Sequence, residues 1–128
     1  KAFNKKIRVI GCEPENADDA YRSKKAGYII PSEDPHTIAD GLLTSLGTKT
    51  FPIIKDMVDD IVLVSENDII KAMQMLLERM KIVVEPSAAV PLGALLSGRI
   101  KASHKKVGII ISGGNIDIRK ISSIIKGK

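Results

Sequence analysis

The sequence has few aromatic residues and almost no cysteine. Among its 128 residues there is no tryptophan, only 3% are aromatic, and Cys12 is the single cysteine. One cysteine cannot form an intramolecular disulfide, so a reducing setting is the expectation. No apolar run approaches the roughly 20 residues that a membrane span needs, and no charged-then-apolar leader indicates secretion. We therefore expect a cytoplasmic protein that does not enter a membrane.

Several familiar site motifs are also absent. The chain contains neither the G-x-x-x-x-G-K nor the G-x-G-x-x-G phosphate-binding pattern. His36 and His104 have no partner at ligand spacing, which argues against zinc. No Ser/His/Asp or Cys/His arrangement can be assembled for nucleophilic catalysis.

What is present fits one folded domain. Hydrophobic residues make up 44% and charged residues 27%, which excludes intrinsic disorder. The net charge of +5 invites a nucleic-acid interpretation, but neither interleaved aromatic residues nor a recognised binding module accompanies it. The basic groups flank strands and the C-terminus, so we expect a solvated surface and no nucleic-acid partner. These groups are Lys1, Lys5, Lys6 and Arg8; Arg99, Lys101, Lys105 and Lys106; and Arg119, Lys120, Lys126 and Lys128.

The first residues are unusual for a natural start. The chain begins at Lys1 without methionine and enters a strand-like segment almost at once. We interpret the sequence as a piece of a longer polypeptide.

Strand-like and helix-like segments alternate along the chain. Ile7–Cys12, Ile61–Val64 and Val107–Ile111 are short apolar runs without clean alternation, which is typical of strands buried on both faces of a parallel sheet. Tyr28–Ile30 is a candidate for a further short strand. The alternation predicts an α/β fold, an open parallel sheet with flanking helices in three layers.

Helices are predicted where charge order, caps and spacing agree. Ser65 precedes Asp68 in a capping pattern, and the helix after it carries a stripe that includes Met73 and Met80 as core residues. The other predicted helices cover Asp18–Gly27, Thr37–Ser45, Phe51–Val58, Ser87–Gly98 with Ser87 as its cap, and Ile116–Ile125.

Two polar segments are expected at the carboxyl edge of the sheet, where open α/β sheets bind ligands. Ser112–Asn115 follows a buried strand, and its two glycines would let the backbone approach a ligand closely, although a plain strand-to-helix turn explains them too. Glu13, Asp18 and Asp19 form an acidic cluster that suits Mg²⁺ or Ca²⁺, or equally the start of a helix.

Taken together, several segments resemble one family strongly, in its order and at its spacing. That family is the serine racemases and serine/threonine dehydratases, which are fold-type II pyridoxal-phosphate enzymes. The resemblance covers nearly the whole chain and indicates that residues 1–128 are the C-terminal part of the large domain. It is carried by Gly11–Ala20, Thr37–Gly41, Val58–Ile61, Glu78–Lys81, Val84–Ser87 and Ile111–Asn115.

The resemblance implies roles around the cofactor. Ser112 would hydrogen-bond the pyridine nitrogen of pyridoxal phosphate, Gly113 would lie beside the ring, and Glu85 would line the cofactor pocket. Thr44 matches a hydroxyl position near the substrate carboxylate. A neutral hydroxyl at the ring nitrogen suits racemisation and β-elimination at serine.

The resemblance also implies a metal and a nucleotide. The carboxylates of Glu13 and Asp19, with the backbone oxygen of Ala17, would hold Mg²⁺ or Ca²⁺. Lys81 and Asn115 match positions that contact ATP, an activator, at the interface of a homodimer.

The departures from the family bear on activity. The Ser-x-Lys-x-Arg segment with the Schiff-base lysine, the loop for the cofactor phosphate and the small domain are all missing, and Pro91 replaces a small residue. We therefore expect a piece of a serine racemase with serine dehydratase activity that is inactive alone. A threonine dehydratase, acting on threonine instead of serine, and a non-catalytic regulatory or interaction module are the alternatives.

Overall fold

The computed structural model describes residues 1 and 3–126 of the 128, and the side chain of Lys126 is excluded from this description. Ala2, Gly127 and Lys128, which belong to the predicted unit 1–128, therefore lie outside the described residues. The regular elements are β1 (Ile10–Pro14), α1 (Asp19–Ala26), α2 (Phe51–Met57), β2 (Asp60–Val64), α3 (Glu66–Met75), α4 (Pro86–Leu96) and α5 (Ile118–Lys126). A 3₁₀ turn covers Asp40–Leu42, and a π-helical segment, Leu76–Met80, continues α3.

The sheet consists of β1 and β2, which run parallel in a register from Ile10 opposite Asp60 to Pro14 opposite Val64. Because successive side chains of a strand point to opposite faces, Cys12, Val62 and Val64 share one face. The other face carries Glu13 and its cross-strand partner Leu63.

Helix α4 covers the face that carries Val64, and α3 packs against α4. Their mutual contact is the most extensive between elements of the fold. A side chain on Gly93 of α4 would come within 3.0 Å of both Val64 and the carbonyl oxygen of Asp68, so the helix backbone lies directly against strand and neighbouring helix. The core built here consists of Ala39, Val64, Ile69, Ala72, Met73, Leu76, Val84, Ala88, Ala89, Val90 and Ala94.

Helix α1 covers the opposite face of the sheet. Glu13 of β1 accepts hydrogen bonds from the backbone N–H groups of Ala20 and Tyr21 in the first turn of α1. With helices on both faces of a parallel sheet, the predicted three-layer α/β class is confirmed. None of the helices that the structure describes is both long and apolar enough to cross a membrane.

The predicted helix ends with strong local signals are confirmed. The Ser65 hydroxyl accepts a hydrogen bond from the backbone N–H of Asp68 and caps α3. Gly27 ends α1 in the left-handed conformation at φ +82°, with its N–H donated to the carbonyl of Ser23.

Three predicted segments differ from the structure. Val107–Ile111 forms no strand, and most of its side chains are exposed, because no described residue pairs with it. Tyr28–Ile30 also forms no strand, since β1 pairs with β2 alone in the described sheet. Thr37–Ser45 contains only the 3₁₀ turn Asp40–Leu42, because Gly41 and the neighbouring polar residues do not sustain a longer helix.

Smaller shifts affect other elements. The first strand is displaced from 7–12 to 10–14, so Glu13 lies within it instead of after it. Helix α4 has Glu85, not Ser87, at its N-cap, because Pro86 already suits the first helical position. Met73 is buried as predicted, but Met80 is 61% exposed, since the π-helical segment turns its end out of the core.

The close approach of α4 to α3 makes Gly93 a testable position. Ala normally stabilises a helix interior relative to Gly by up to about 1 kcal/mol. At Gly93 the added carbon would press on backbone, so we expect Gly93→Ala to lower the free energy of unfolding by about 1–3 kcal/mol. Urea denaturation measures this.

Gly108 provides the control, because a side chain there would meet nothing within 4 Å. We expect Gly108→Ala to unfold at the urea concentration of the wild type. If the Gly93→Ala variant is as stable as the Gly108→Ala variant, the described contact between α3 and α4 is wrong.

Candidate functional site

The loop Ser112–Asn115 is held against the start of α4. The backbone N–H of Glu85 donates to the carbonyl of Gly113 at 3.1 Å, and the Glu85 carboxylate accepts from the N–H of Asn115 at 3.1 Å. Three of the predicted cofactor and nucleotide residues, namely Glu85, Gly113 and Asn115, are therefore brought together.

Gly114 explains why this loop needs glycine. A side-chain carbon on Gly114 would lie 2.6 Å from the carbonyl oxygen of Val83, which is backbone and cannot move aside. On Gly113, the same atom would meet the Glu85 carboxylate at 3.2 Å. The two glycines therefore let the loop lie along residues 83–85, which is the close approach that the sequence predicted, although it is made to the protein's own backbone.

The segment Thr37–Gly41 is held beside the same helix end. The N–H of Gly41 donates to the Ser87 hydroxyl at 3.2 Å, and the N–H of Ile38 donates to the Glu66 carboxylate at 2.9 Å. The second oxygen of Glu66, Oε1, is buried and has no hydrogen-bond partner among the described residues. Ser87, which the sequence predicted only as a helix cap, and Glu66 hold this segment through contacts that are not local in sequence, so no sequence signal indicated this role.

A cavity of about 340 Å³ opens between these two segments and α5. Its wall mixes apolar side chains with both acidic and basic ones, so it could take a ligand with polar groups. The lining residues are Thr37, Ile38, Asp40, Pro86, Asn115, Ile116, Asp117, Lys120, Ser123 and Ile124.

The remaining predicted ligand residues lie on the surface. Ser112 is exposed, and its hydroxyl makes no hydrogen bond to the part of the chain that the structure describes. Thr44 is exposed in a coil segment, and Lys81 is exposed at φ +59° after the π-helical segment. Asn115 lines the cavity whereas Lys81 does not, so one member of the predicted nucleotide pair lies outside it.

The acidic segment joins β1 to α1. Burial raises the pKa of Glu13 to about 7; the hydrogen bonds from Tyr21 and Ala20 oppose this rise, and the nearby carboxylates of Asp19 and Asp18 add to it. Glu13 thus lies in a half-buried, acid-rich environment where a bound cation would relieve repulsion between like charges.

Asp19 and Ala17 are both buried in this segment. Asp19 is 4% exposed, and its Oδ2 accepts from the N–H of Leu46 at 2.9 Å, two residues beyond Thr44. Ala17 is 2% exposed, and its carbonyl accepts no hydrogen bond from any described residue. No group of three or more His, Cys, Asp or Glu side chains in the described ranges is arranged to hold a metal.

Cys12 plays no part in these sites. It packs against the core from β1, and burial raises the pKa of its thiol to about 11. A thiol in this state is protonated at neutral pH and unreactive.

Comparison with known proteins identifies the family. Residues 1–113 match the family model described as "Pyridoxal-phosphate dependent enzyme". The chain belongs to this family of pyridoxal-phosphate-dependent enzymes, as the motifs predicted.

Within this family, the chain is similar to serine racemases and to a threonine deaminase. The chain is 51% identical to the serine racemase of Dictyostelium discoideum over 98% of its own length and 40% of that protein. It superposes on the structure of maize serine racemase with a TM-score of 0.88 at 43% identity, covering 99% of this chain and 40% of that one. The threonine deaminase of T.th. superposes with a TM-score of 0.85 at 44% identity, covering 92% and 39%. The chain thus spans about 40% of the length of the curated relatives it matches.

The contact of Gly114 with Val83 leads to a prediction about the loop. Since the added carbon in Gly114→Ala would collide with backbone, we expect this variant to lose about 1–3 kcal/mol of stability in urea denaturation. Gly108→Ala is again the control, because a side-chain carbon there would meet nothing within 4 Å. Equal losses in the two variants would contradict the described packing of the loop.

Proposed function

We propose that this chain is the C-terminal part of the large domain of a pyridoxal-phosphate-dependent serine racemase that also eliminates water from serine. The observation that carries the proposal is the convergence of two family segments, Thr37–Gly41 and Ser112–Asn115, on the start of α4 around one cavity. The 51% identity to a serine racemase supports the choice of substrate.

The residues present fit one side of the cofactor. The exposed hydroxyl of Ser112, which has no hydrogen-bond partner among the described residues, is free to exchange a hydrogen bond with a ring nitrogen. Pyridoxal phosphate, when bound, supplies an electron sink for the charge that develops after removal of the Cα proton. A neutral hydroxyl at the ring nitrogen keeps this withdrawal moderate, which suits racemisation and β-elimination.

Thr44 would contribute to substrate binding. Its hydroxyl is exposed, and the segment around it is fixed by two contacts, from Leu46 to Asp19 and from Ser32 to the Ser45 hydroxyl. A hydroxyl on a fixed segment can donate to the carboxylate of serine or threonine without a large ordering cost.

Glu13, Asp19 and the Ala17 carbonyl would hold a divalent cation. An all-oxygen ligand set favours Mg²⁺ or Ca²⁺ over zinc. Support comes from the unpaired carbonyl of Ala17 and from the surroundings of Glu13, where burial and, to a smaller extent, the nearby Asp19 carboxylate raise the pKa.

The proposal extends to the assembly of the complete protein. Asn115 in the cavity wall, together with Lys81, would contact ATP as an activator at a homodimer interface, in a cytoplasmic setting. These assignments derive from the family motifs, and the exposure of Lys81 is compatible with a contact to a second subunit.

Enzyme assays of the complete protein test the proposed reaction. With pyridoxal phosphate and L-serine, we expect both D-serine and pyruvate, and we expect neither from the 128-residue chain alone, which lacks the Schiff-base lysine segment. Predominant formation of 2-oxobutanoate from threonine would favour the dehydratase alternative. A complete protein without either activity would favour the non-catalytic module.

The Ser112→Ala variant of the complete protein tests whether the Ser112 hydroxyl contributes to cofactor binding and turnover. Loss of one neutral hydrogen bond should weaken cofactor binding by about 1 kcal/mol, or roughly fivefold. Ser103→Ala is the matched control, because Ser103 is an exposed serine of a neighbouring turn. Wild-type cofactor affinity and turnover in Ser112→Ala would refute the assigned role.

A separate prediction concerns the cation. Calcium should raise the melting temperature of the wild type, because a ligand at 100 times its Kd stabilises the folded state by about 2.7 kcal/mol. Asp19→Asn should lose most of this gain while its amide oxygen still accepts from Leu46. The exposed Asp56→Asn variant is the control and should respond like the wild type. An equal calcium response in Asp19→Asn would exclude the site.

A further inference from the structure

Glu85 occupies the N-cap of α4 without capping it. At this position a polar side chain normally accepts a hydrogen bond from the first turn of its own helix. The Glu85 side chain makes no such bond, and its carboxylate instead accepts from the N–H of Asn115 at 3.1 Å. The side chain therefore acts on the loop rather than on the helix.

The contact between Glu85 and the loop is formed in three ways. Besides the carboxylate bond to Asn115, the N–H of Glu85 donates to the carbonyl of Gly113. The carboxylate also packs over the bare Cα of Gly113, where a side-chain carbon would come within 3.2–3.5 Å of its atoms. One residue thus fixes the backbone on both sides of Gly114.

Within the described residues, the segment that precedes the loop gives it little other support. Residues 107–112 form no strand, and Ile110 is 81% exposed. Within the described chain, the position of Ser112 therefore depends on what holds Gly113–Asn115, and Glu85 provides the hydrogen bonds that do so.

We propose that Glu85 is a positioning residue for Ser112, acting through the loop backbone and not by touching the cofactor. Its carboxylate makes a charge-assisted hydrogen bond, which is short-range and sensitive to side-chain length. The expected effect on cofactor binding rests on the proposed function, whereas the effect on the loop does not.

Two substitutions separate this role from that of an ordinary cap. Glu85→Gln keeps an acceptor oxygen at the same reach, so the loop should keep its protection. Glu85→Asp is one methylene shorter, cannot reach Asn115, and places one of the best N-cap residues on α4, so the helix should remain folded.

Hydrogen–deuterium exchange, followed by mass spectrometry on the complete protein without cofactor, measures the protection of the loop and of α4 separately. We expect Glu85→Asp to speed exchange in a peptide over residues 113–117 by about tenfold, with a peptide over 86–96 unchanged or slower. Glu85→Gln should stay within about twofold of the wild type in both peptides. Glu33→Asp, at an exposed acid of another loop, is the control and should change neither peptide.

The proposal is overturned if Glu85→Asp leaves loop exchange at the wild-type rate, or if α4 exchanges faster to the same extent as the loop. Cofactor titration of the same variants keeps the two hypotheses apart. Weaker pyridoxal-phosphate binding in Glu85→Asp, rescued in Glu85→Gln, supports positioning of the cofactor contact. Faster loop exchange with unchanged cofactor affinity confirms the positioning of the loop and contradicts the proposed contact of Ser112 with the cofactor.

Discussion

The seating of α4 against the strand and α3 is the constraint on which the candidate site depends. Gly93 lets the helix backbone lie so close to its neighbours that a side-chain carbon there would come within 3.0 Å of Val64 and of the Asp68 carbonyl oxygen. At the beginning of α4, Glu85 and Ser87 accept hydrogen bonds from two loops that are far apart in sequence. The cavity lies between those loops, so a change in helix packing would alter both of its walls together.

On the other face of the sheet, the acidic segment also uses side-chain carboxylates to hold the backbone of neighbouring segments. Glu13 ties β1 to the first turn of α1, and Asp19 ties that turn to Leu46, close to Thr44. These carboxylates therefore already have structural roles before any cation is considered. A cation bound between them would offset their mutual repulsion and would at the same time stiffen the segment that carries Thr44, which links the proposed metal to the proposed substrate contact.

The features that sequence predicted correctly are those encoded by neighbouring residues. The Ser65 cap and the Gly27 helix end require only residues within one turn, and the parallel α/β class follows from alternating apolar runs. The grouping of Glu85 with Gly113 was reached only through the family motifs. Those motifs assigned Asn115 to a nucleotide together with Lys81, and its hydrogen bond to Glu85 was not predicted because the two residues are 30 positions apart. The exact start of α4 was missed since Ser87 is a better cap by type, yet Pro86 fits the first helical position.

At Val107–Ile111, the apolar pattern predicted a strand that the structure does not contain. A run that is apolar on both faces is stable as a strand only when neighbouring strands satisfy its N–H and C=O groups, and no described residue does so. The sequence predicted that Ser112 directly follows this buried strand at the carboxyl edge of the sheet. The structure supports the loop from the following side, through Gly113, Gly114 and Asn115 against residues 83–85. Among the described residues, the position of Ser112 is therefore set by the start of α4.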